Sequence, residues 1–240
     1  MTDIAAGFAA AFQLLLSFDA GLWEIIALSL EVNLAAVFLS CLIGLPLGGA
    51  LAVYRFRGRK ALIILINALM GLPPVVVGLM IYLMLSRSGP LGSLNILFTP
   101  GAMIIAQAIL VTPIVTALTR QITEALWLDY REQLTSLGSS RMRAIPTLLW
   151  DGRAALFTAV LAGFGRAAAE VGAVIIVGGN IAHHTRTMTT AIALETGRGN
   201  LALALGLGIV LVTLAILLNT AAWMVRERSM PEAALLGVDR

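Results

Sequence analysis

Charge is scarce in this chain. Only 12% of its 240 residues are Asp, Glu, Lys or Arg, against 59% hydrophobic residues, whereas soluble domains carry charge at about a quarter of positions. The scarcity is uneven as well. Residues 32–54, 62–86, 88–119 and 199–225 hold no charged side chain at all, and a membrane-spanning helix needs only about 20 mostly apolar residues. With a mean hydropathy of +0.94, the chain reads as a polytopic membrane protein. A water-soluble enzyme, a disordered chain and a nucleic-acid-binding domain are excluded, and the pI of 9.6 reflects basic residues that mark topology.

Lysine and cysteine are nearly missing. The one lysine, Lys60, stands in Gly58-Arg59-Lys60-Ala61. A P-loop needs Gly-Lys-Ser/Thr to reach the terminal phosphates and hold magnesium, so any ATP hydrolysis linked to this protein takes place on another chain. The one cysteine, Cys41, lies inside an apolar run, which excludes a disulfide framework and a cysteine metal site. Gly-x-Ser-x-Gly and His-Glu-x-x-His are absent too, leaving an intramembrane enzyme without catalytic groups. No inverted repeat is evident, against the expectation for a secondary transporter built from paired halves. His183 and His184 are adjacent with no Cys or Asp nearby, so no metal ligand set is expected.

What remains is an all-α membrane protein with five spans, at roughly 24–54, 61–86, 98–119, 154–177 and 201–225. Residues 4–18 are apolar but have no basic region before them, so no signal peptide is expected; residues 1–23 are expected as an external or interfacial segment, with a short amphipathic helix at the outer face favoured over a sixth span. The sixteen Lys and Arg residues test this arrangement. Arg55, Arg57, Arg59 and Lys60 fall in the first loop; Arg120, Arg131, Arg141, Arg143 and Arg153 fall in residues 120–153; Arg226, Arg228 and Arg240 fall in the tail. Only Arg87, Arg186 and Arg198 fall on the other side, and Arg166 lies within a span. Basic residues accumulate in cytoplasmic loops, so the N-terminus is expected outside and the C-terminus inside, with residues 178–200 as an external loop. Gly44-Leu45-Pro46, Pro73-Pro74, Pro113 and the pair Gly163 and Gly165 are expected to kink or break the spans, which membranes tolerate where neighbours satisfy the freed backbone.

Residues 120–153 form the one long polar stretch. Leu126, Tyr130, Leu134 and Leu137 repeat at four, four and three residues, one helix face. Gly138 interrupts, Ser139 and Ser140 are good N-caps, and Met142, Ile145 and Leu149 continue a second short helix. Two amphipathic helices joined at a glycine are expected on the cytoplasmic surface, with Arg131, Arg141 and Arg143 exposed.

Glu132-Gln133-Leu134, three residues, then Gly138 resembles the coupling loop of ABC importer permeases. That pattern is Glu-Ala-Ala, three residues, Gly, nine residues, Ile, one residue, Leu-Pro. Leu148 stands at the Ile position, Trp150 and Asp151 replace Leu-Pro, and Gln133 and Leu134 replace the alanines. Leu72-Pro73-Pro74-Val75-Val76-Val77-Gly78 is similar to a core helix of molybdate-type permeases, as is Gly163-Phe164-Gly165-Arg166 followed by Glu170-Val171-Gly172-Ala173. Val177-Gly178-Gly179-Asn180-Ile181 and the run from Thr185 to Thr196 resemble the tungstate branch most closely. The similarity extends from about Glu24 to the end of the chain.

The resemblance implies a type I ABC importer permease: a homodimer in the prokaryotic cytoplasmic (inner) membrane that moves tungstate, or alternatively molybdate, inward by alternating access. It implies two cytoplasmic ABC ATPase subunits holding ATP and magnesium, no cofactor on this chain, and an extracytoplasmic oxyanion-binding protein. Glu132, Leu134, Leu137, Gly138, Arg141 and Arg143 would meet the ATPase, Gly138 making the turn because φ > 0 is cheap only for glycine. Pro73, Pro74, Arg166 and Glu170 would border the path. Arg166 and Glu170, four apart, share a helix face; charges at membrane depth usually pair or line a pathway, and structural pairing is weighed here beside a contribution to anion passage. Asn67, Gln107 and Thr112 are expected in interhelical hydrogen bonds, and Arg186, Glu195 and Arg198 would face the binding protein. A channel or secondary carrier, the rival reading, needs neither a glycine-jointed cytoplasmic loop nor an ATPase.

Overall fold

In a computed structural model the chain is described over residues 19–228 and at positions 9, 12, 13, 16 and 17. Most of the N-terminal segment expected at the membrane surface, and Arg240 of the tail, lie outside the described residues. Among the described residues every regular element is helical: α1 (Ala20–Val53), α2 (Arg59–Leu69), α3 (Pro74–Leu85), α4 (Pro100–Ser136), α5 (Arg141–Asp151), α6 (Arg153–Ala168), α7 (Gly172–Gly178), α8 (Met188–Arg198) and α9 (Leu201–Arg228), with one 3-10 turn at Gly92–Leu94.

α1 and α4 form the spine. At 1.5 Å per residue they are about 51 and 55 Å long, well beyond a hydrocarbon core of about 30 Å. α1 starts where the Asp19 carboxylate accepts the Leu22 N–H at 2.9 Å. The two helices run parallel: the Ser40 hydroxyl donates to the Ala108 carbonyl at 3.2 Å, Gly44 lies on Val115 and Gly48 on Thr119. A Cβ at Gly48 would stand 2.7 Å from both the Thr116 carbonyl oxygen and the Thr119 Cβ. Small residues permit such close crossings in membranes. The helix therefore needs Gly44 and Gly48 for contact, and the break expected around Gly44-Leu45-Pro46 does not occur. α4 likewise continues through Pro113, and α6 through Gly163 and Gly165. A single proline removes one backbone bond, and packing on both sides holds these helices together.

Two other segments do break. Between α2 and α3, residues 70–73 turn the chain by 98°, because Pro73 and Pro74 together remove two donors and exclude the helical conformation before them. The span expected over 154–177 ends as α6 at Ala168 and restarts as α7 at Gly172. Three helices (α1, α4 and the first part of α9) are long and apolar enough to cross a membrane singly, rising to five if the bent pairs α2–α3 (98°) and α5–α6 (76°) are each one span. The two breaks adjoin. A Cβ at Gly172 would meet Val75 Cγ2 at 2.8 Å, and one at Gly78 would meet Ala173 Cα at 2.8 Å. Val77, Ile81, Leu85, Ala173, Val174 and Val177 share a core with Val32 and with Ala102, Met103, Ala106 and Leu110 of α4.

The bundle has two distinct ends. At the basic end, Ala52 and Val53 pack with Ala144 and Leu148 of α5, and Leu51 packs with Ile66 and Ala117. At the far end, Leu22 and Ile26 pack with Met188, Ala191 and Leu207. Residues 178–200, expected as an external loop, are a tight turn followed by α8, which packs on α1 and α9. The turn folds because its polar groups are matched internally: the Thr185 hydroxyl, buried, donates to the Gly178 carbonyl at 2.5 Å and accepts the Ile181 N–H at 3.0 Å, and Thr190 bonds the Asn180 side chain at 3.0 Å.

Candidate functional site

The first cytoplasmic helix expected after residue 119 is the continuation of α4, which runs unbroken to Ser136. No breaker intervenes, and Arg120 pairs with Glu124 one turn on, so the helix passes straight from apolar to polar sequence. Glu124 also takes Arg59 at 2.7 Å, and Arg59 Nε donates to the Leu51 carbonyl at 2.7 Å. This three-residue charge cluster ties the start of α2 and the last turn of α1 to α4. The i,i+4 spacing of Arg120 and Glu124 signals half of it. Arg59, 65 residues distant, leaves no local sign.

Beyond this cluster the expected coupling residues group on one surface. Glu132 is 88% exposed on the last turns of α4, 3.9 Å from Arg131, itself 56% exposed. Leu137 is exposed, while Leu134 is partly buried against the cluster of Ala52, Val53, Ala144 and Leu148. Gly138 has φ +71°, a region in which only glycine is at ease, and the Ser140 hydroxyl receives the Arg143 N–H at 3.4 Å to start α5. Arg141 and Arg143 are exposed on that helix. Between the end of α4 and α5 lies a cavity of about 270 Å³ bordered by Tyr130, Leu134, Leu137, Leu148 and Asp151. The whole surface projects past the apolar part of the bundle.

Halfway along the molecule the paired breaks bring together the residues expected to border a path. Arg166 and Glu170 form an ion pair at 2.5 Å, with Arg166 34% exposed and Glu170 5% exposed. Pro73 is exposed and Pro74 half-buried at the start of α3, next to Gly172 through Val75. The Gln107 amide donates to the Ala167 carbonyl at 3.3 Å, an interhelical bond as expected. Thr112 instead bonds its own helix at the Ala108 carbonyl, 2.6 Å away, and Asn67 lies on the exposed side of α2.

At the far end the three expected docking residues divide, Glu195 pairing with Arg198 and Arg186 standing at a cavity that neither of them lines. Glu195 is buried inside α8, accepting from Arg198 at 3.0 Å and from the Asn200 amide at 3.1 Å. Arg198 is exposed. Arg186 borders a separate cavity of about 250 Å³ with Glu24, Glu31, His183 and His184, where His183 Nδ1 lies 2.7 Å from the Glu24 carboxylate. Sequence spacing gave no hint of the Glu24 contact.

Comparison with known proteins fits this geometry. The family described as binding-protein-dependent transport system inner membrane component matches residues 44–228. The chain belongs to this family. Two relatives are each a tungstate uptake system permease protein TupB. That of Peptoclostridium acidaminophilum is 39% identical over 95% of this chain and 100% of its own length; that of Campylobacter jejuni is 37% identical over 69% of this chain and 70% of its own. In fold, the inner-membrane component is similar to a chain of the MetNI methionine ABC transporter in an inward-facing form, with a TM-score of 0.66 at 16% identity over 88% of this chain and 95% of that one. The protein is thus a multi-pass permease component with the ABC importer fold.

Proposed function

We propose that this inner-membrane component is the membrane subunit of an ATP-driven tungstate importer. The observation that carries the reading is the 39% identity to a tungstate permease along that relative's entire length. In this reading the chain crosses the membrane five times with its N-terminus outside, α2 with α3 making one crossing and α6 with α7 another. The basic end is cytoplasmic, as the distribution of Lys and Arg requires. Two copies form the path at their two-fold axis, beside the paired breaks. An ABC ATPase subunit seats on each exposed surface from Glu132 to Arg143, and an oxyanion-binding protein docks at the far end. ATP closes the ATPase pair, the surface helices follow, and the bundles rock between inward-open and outward-open states. Molybdate is the second reading of the cargo, favoured by the likeness of residues 72–78 to molybdate-type permeases.

A mild-detergent pull-down of the tagged chain tests the assembly. A P-loop ATPase is expected to accompany the wild-type chain and to be lost when Glu132 and Gly138 are both replaced. A chain that purifies alone in a stable, transport-active form would favour a channel or secondary carrier.

A further inference from the structure

Glu170 stands where α6 stops, α7 starts and α8 returns, and it is bonded to all three. One carboxylate oxygen takes the Arg166 guanidinium of α6 at 2.5 Å. The other accepts the Ala173 N–H at 3.1 Å, one of the first amides of α7, which have no carbonyl partner within their own helix. Its backbone carbonyl accepts the Thr189 hydroxyl at 2.8 Å, in the first turn of α8. The neighbouring Met188 N–H is in turn anchored to Ser29 Oγ of α1 at 2.7 Å. With 5% of its side chain exposed, Glu170 is enclosed by protein, where a charge separated from its partner is strongly disfavoured. α6 therefore cannot shift alone; Glu170 must carry α7 along through its carboxylate and α8 through its backbone carbonyl, or lose those partners. The opposite end of α6 begins one residue after α5, across Gly152, a buried glycine pressed against Leu126 and Ile122 of α4.

We propose that Glu170 is a positioning residue of the transport cycle, passing the movement of α6 at the cytoplasmic surface helix to α7 and α8 at the far end. This rests on the permease reading above. The test uses proteoliposomes holding the chain with its ATPase, supplied with its binding protein and tungstate, measuring both tungstate uptake and ATP hydrolysis. In Glu170→Gln, tungstate moved per ATP should fall roughly tenfold, the consequence of losing one charge-assisted bond, at temperatures where the variant, despite a lower unfolding midpoint in detergent, remains folded. Thr189→Val, which removes only the hydroxyl donor, should lower the ratio by about threefold, and Thr189→Ser should restore it. Wild-type ratios in both Glu170→Gln and Thr189→Val would overturn the proposal, as would losses that merely track the unfolding midpoint. If Glu170→Gln does not fold, the contrast between Thr189→Val and Thr189→Ser decides alone. A wild-type assembly without ATP-dependent uptake would overturn the permease reading, and this proposal with it.

Discussion

At Gly48 one methyl group is enough to disturb the spine. The added Cβ would meet a backbone oxygen and the branched carbon of Thr119, both at 2.7 Å, and neither can rotate away. α1 and α4 would have to separate. Overpacking of this kind destabilises by about 1–3 kcal/mol, so Gly48→Ala is expected to lower the thermal-unfolding midpoint in detergent. Gly165→Ala, with nothing within 4 Å, should leave it unchanged. Gly138 depends on conformation instead of contact: its surroundings are open and its φ is +71°. Left-handed backbone costs a β-branched residue roughly 1–2 kcal/mol, while Asn visits it readily. Gly138→Val is therefore expected to reduce ATPase co-purification and Gly138→Asn to preserve it. The sequence marks Gly138 because a helical period stops there. It does not distinguish the glycines that break helices from those that join them, since the partners of Gly44 and Gly48 lie far along the chain.

Among the elements, α4 is the most informative. Its apolar part and its polar part are separate in composition but continuous in space, bridged by Arg120 and Glu124. Periodicity around Leu126, Tyr130 and Leu134 revealed the helix; only the missing breaker could have revealed that it was the same helix. Glu124 pairs with both Arg59 and Arg120, whose side chains are 11% and 16% exposed. Glu124→Gln would leave two largely buried guanidinium groups short of a charged partner, at a cost of about 1–3 kcal/mol. A lower unfolding midpoint is expected, together with faster hydrogen exchange in residues 51–62, where Arg59 secures the last turn of α1. Pro73-Pro74 announced the break between α2 and α3. The break at residues 169–171 has no such marker, being stabilised by Glu170 bonding to Arg166, Ala173 and Thr189, the last 19 residues away.

For the molecule as a whole, one strongly basic end and one with few basic residues follow directly from where Lys and Arg fall, and the family likeness was visible in motifs that are short but share one order. The adjacency of the two broken helices and the helical character of residues 188–198 depend on contacts between distant segments and were not. Topology can be read chemically. In a Cys41→Ala background, a membrane-impermeant thiol reagent is expected to label Arg57→Cys only from the cytoplasmic face and Arg198→Cys only from the outside; the reverse pattern would invert the orientation. The central claim, that this chain conducts an oxyanion under the control of a partner ATPase, is tested most directly by tungstate accumulation in proteoliposomes assembled from the chain, its ATPase and its binding protein. The account predicts accumulation that requires ATP and all three components, with molybdate measured alongside as competitor. Tungstate entry that proceeds equally without ATP or without the ATPase would contradict it.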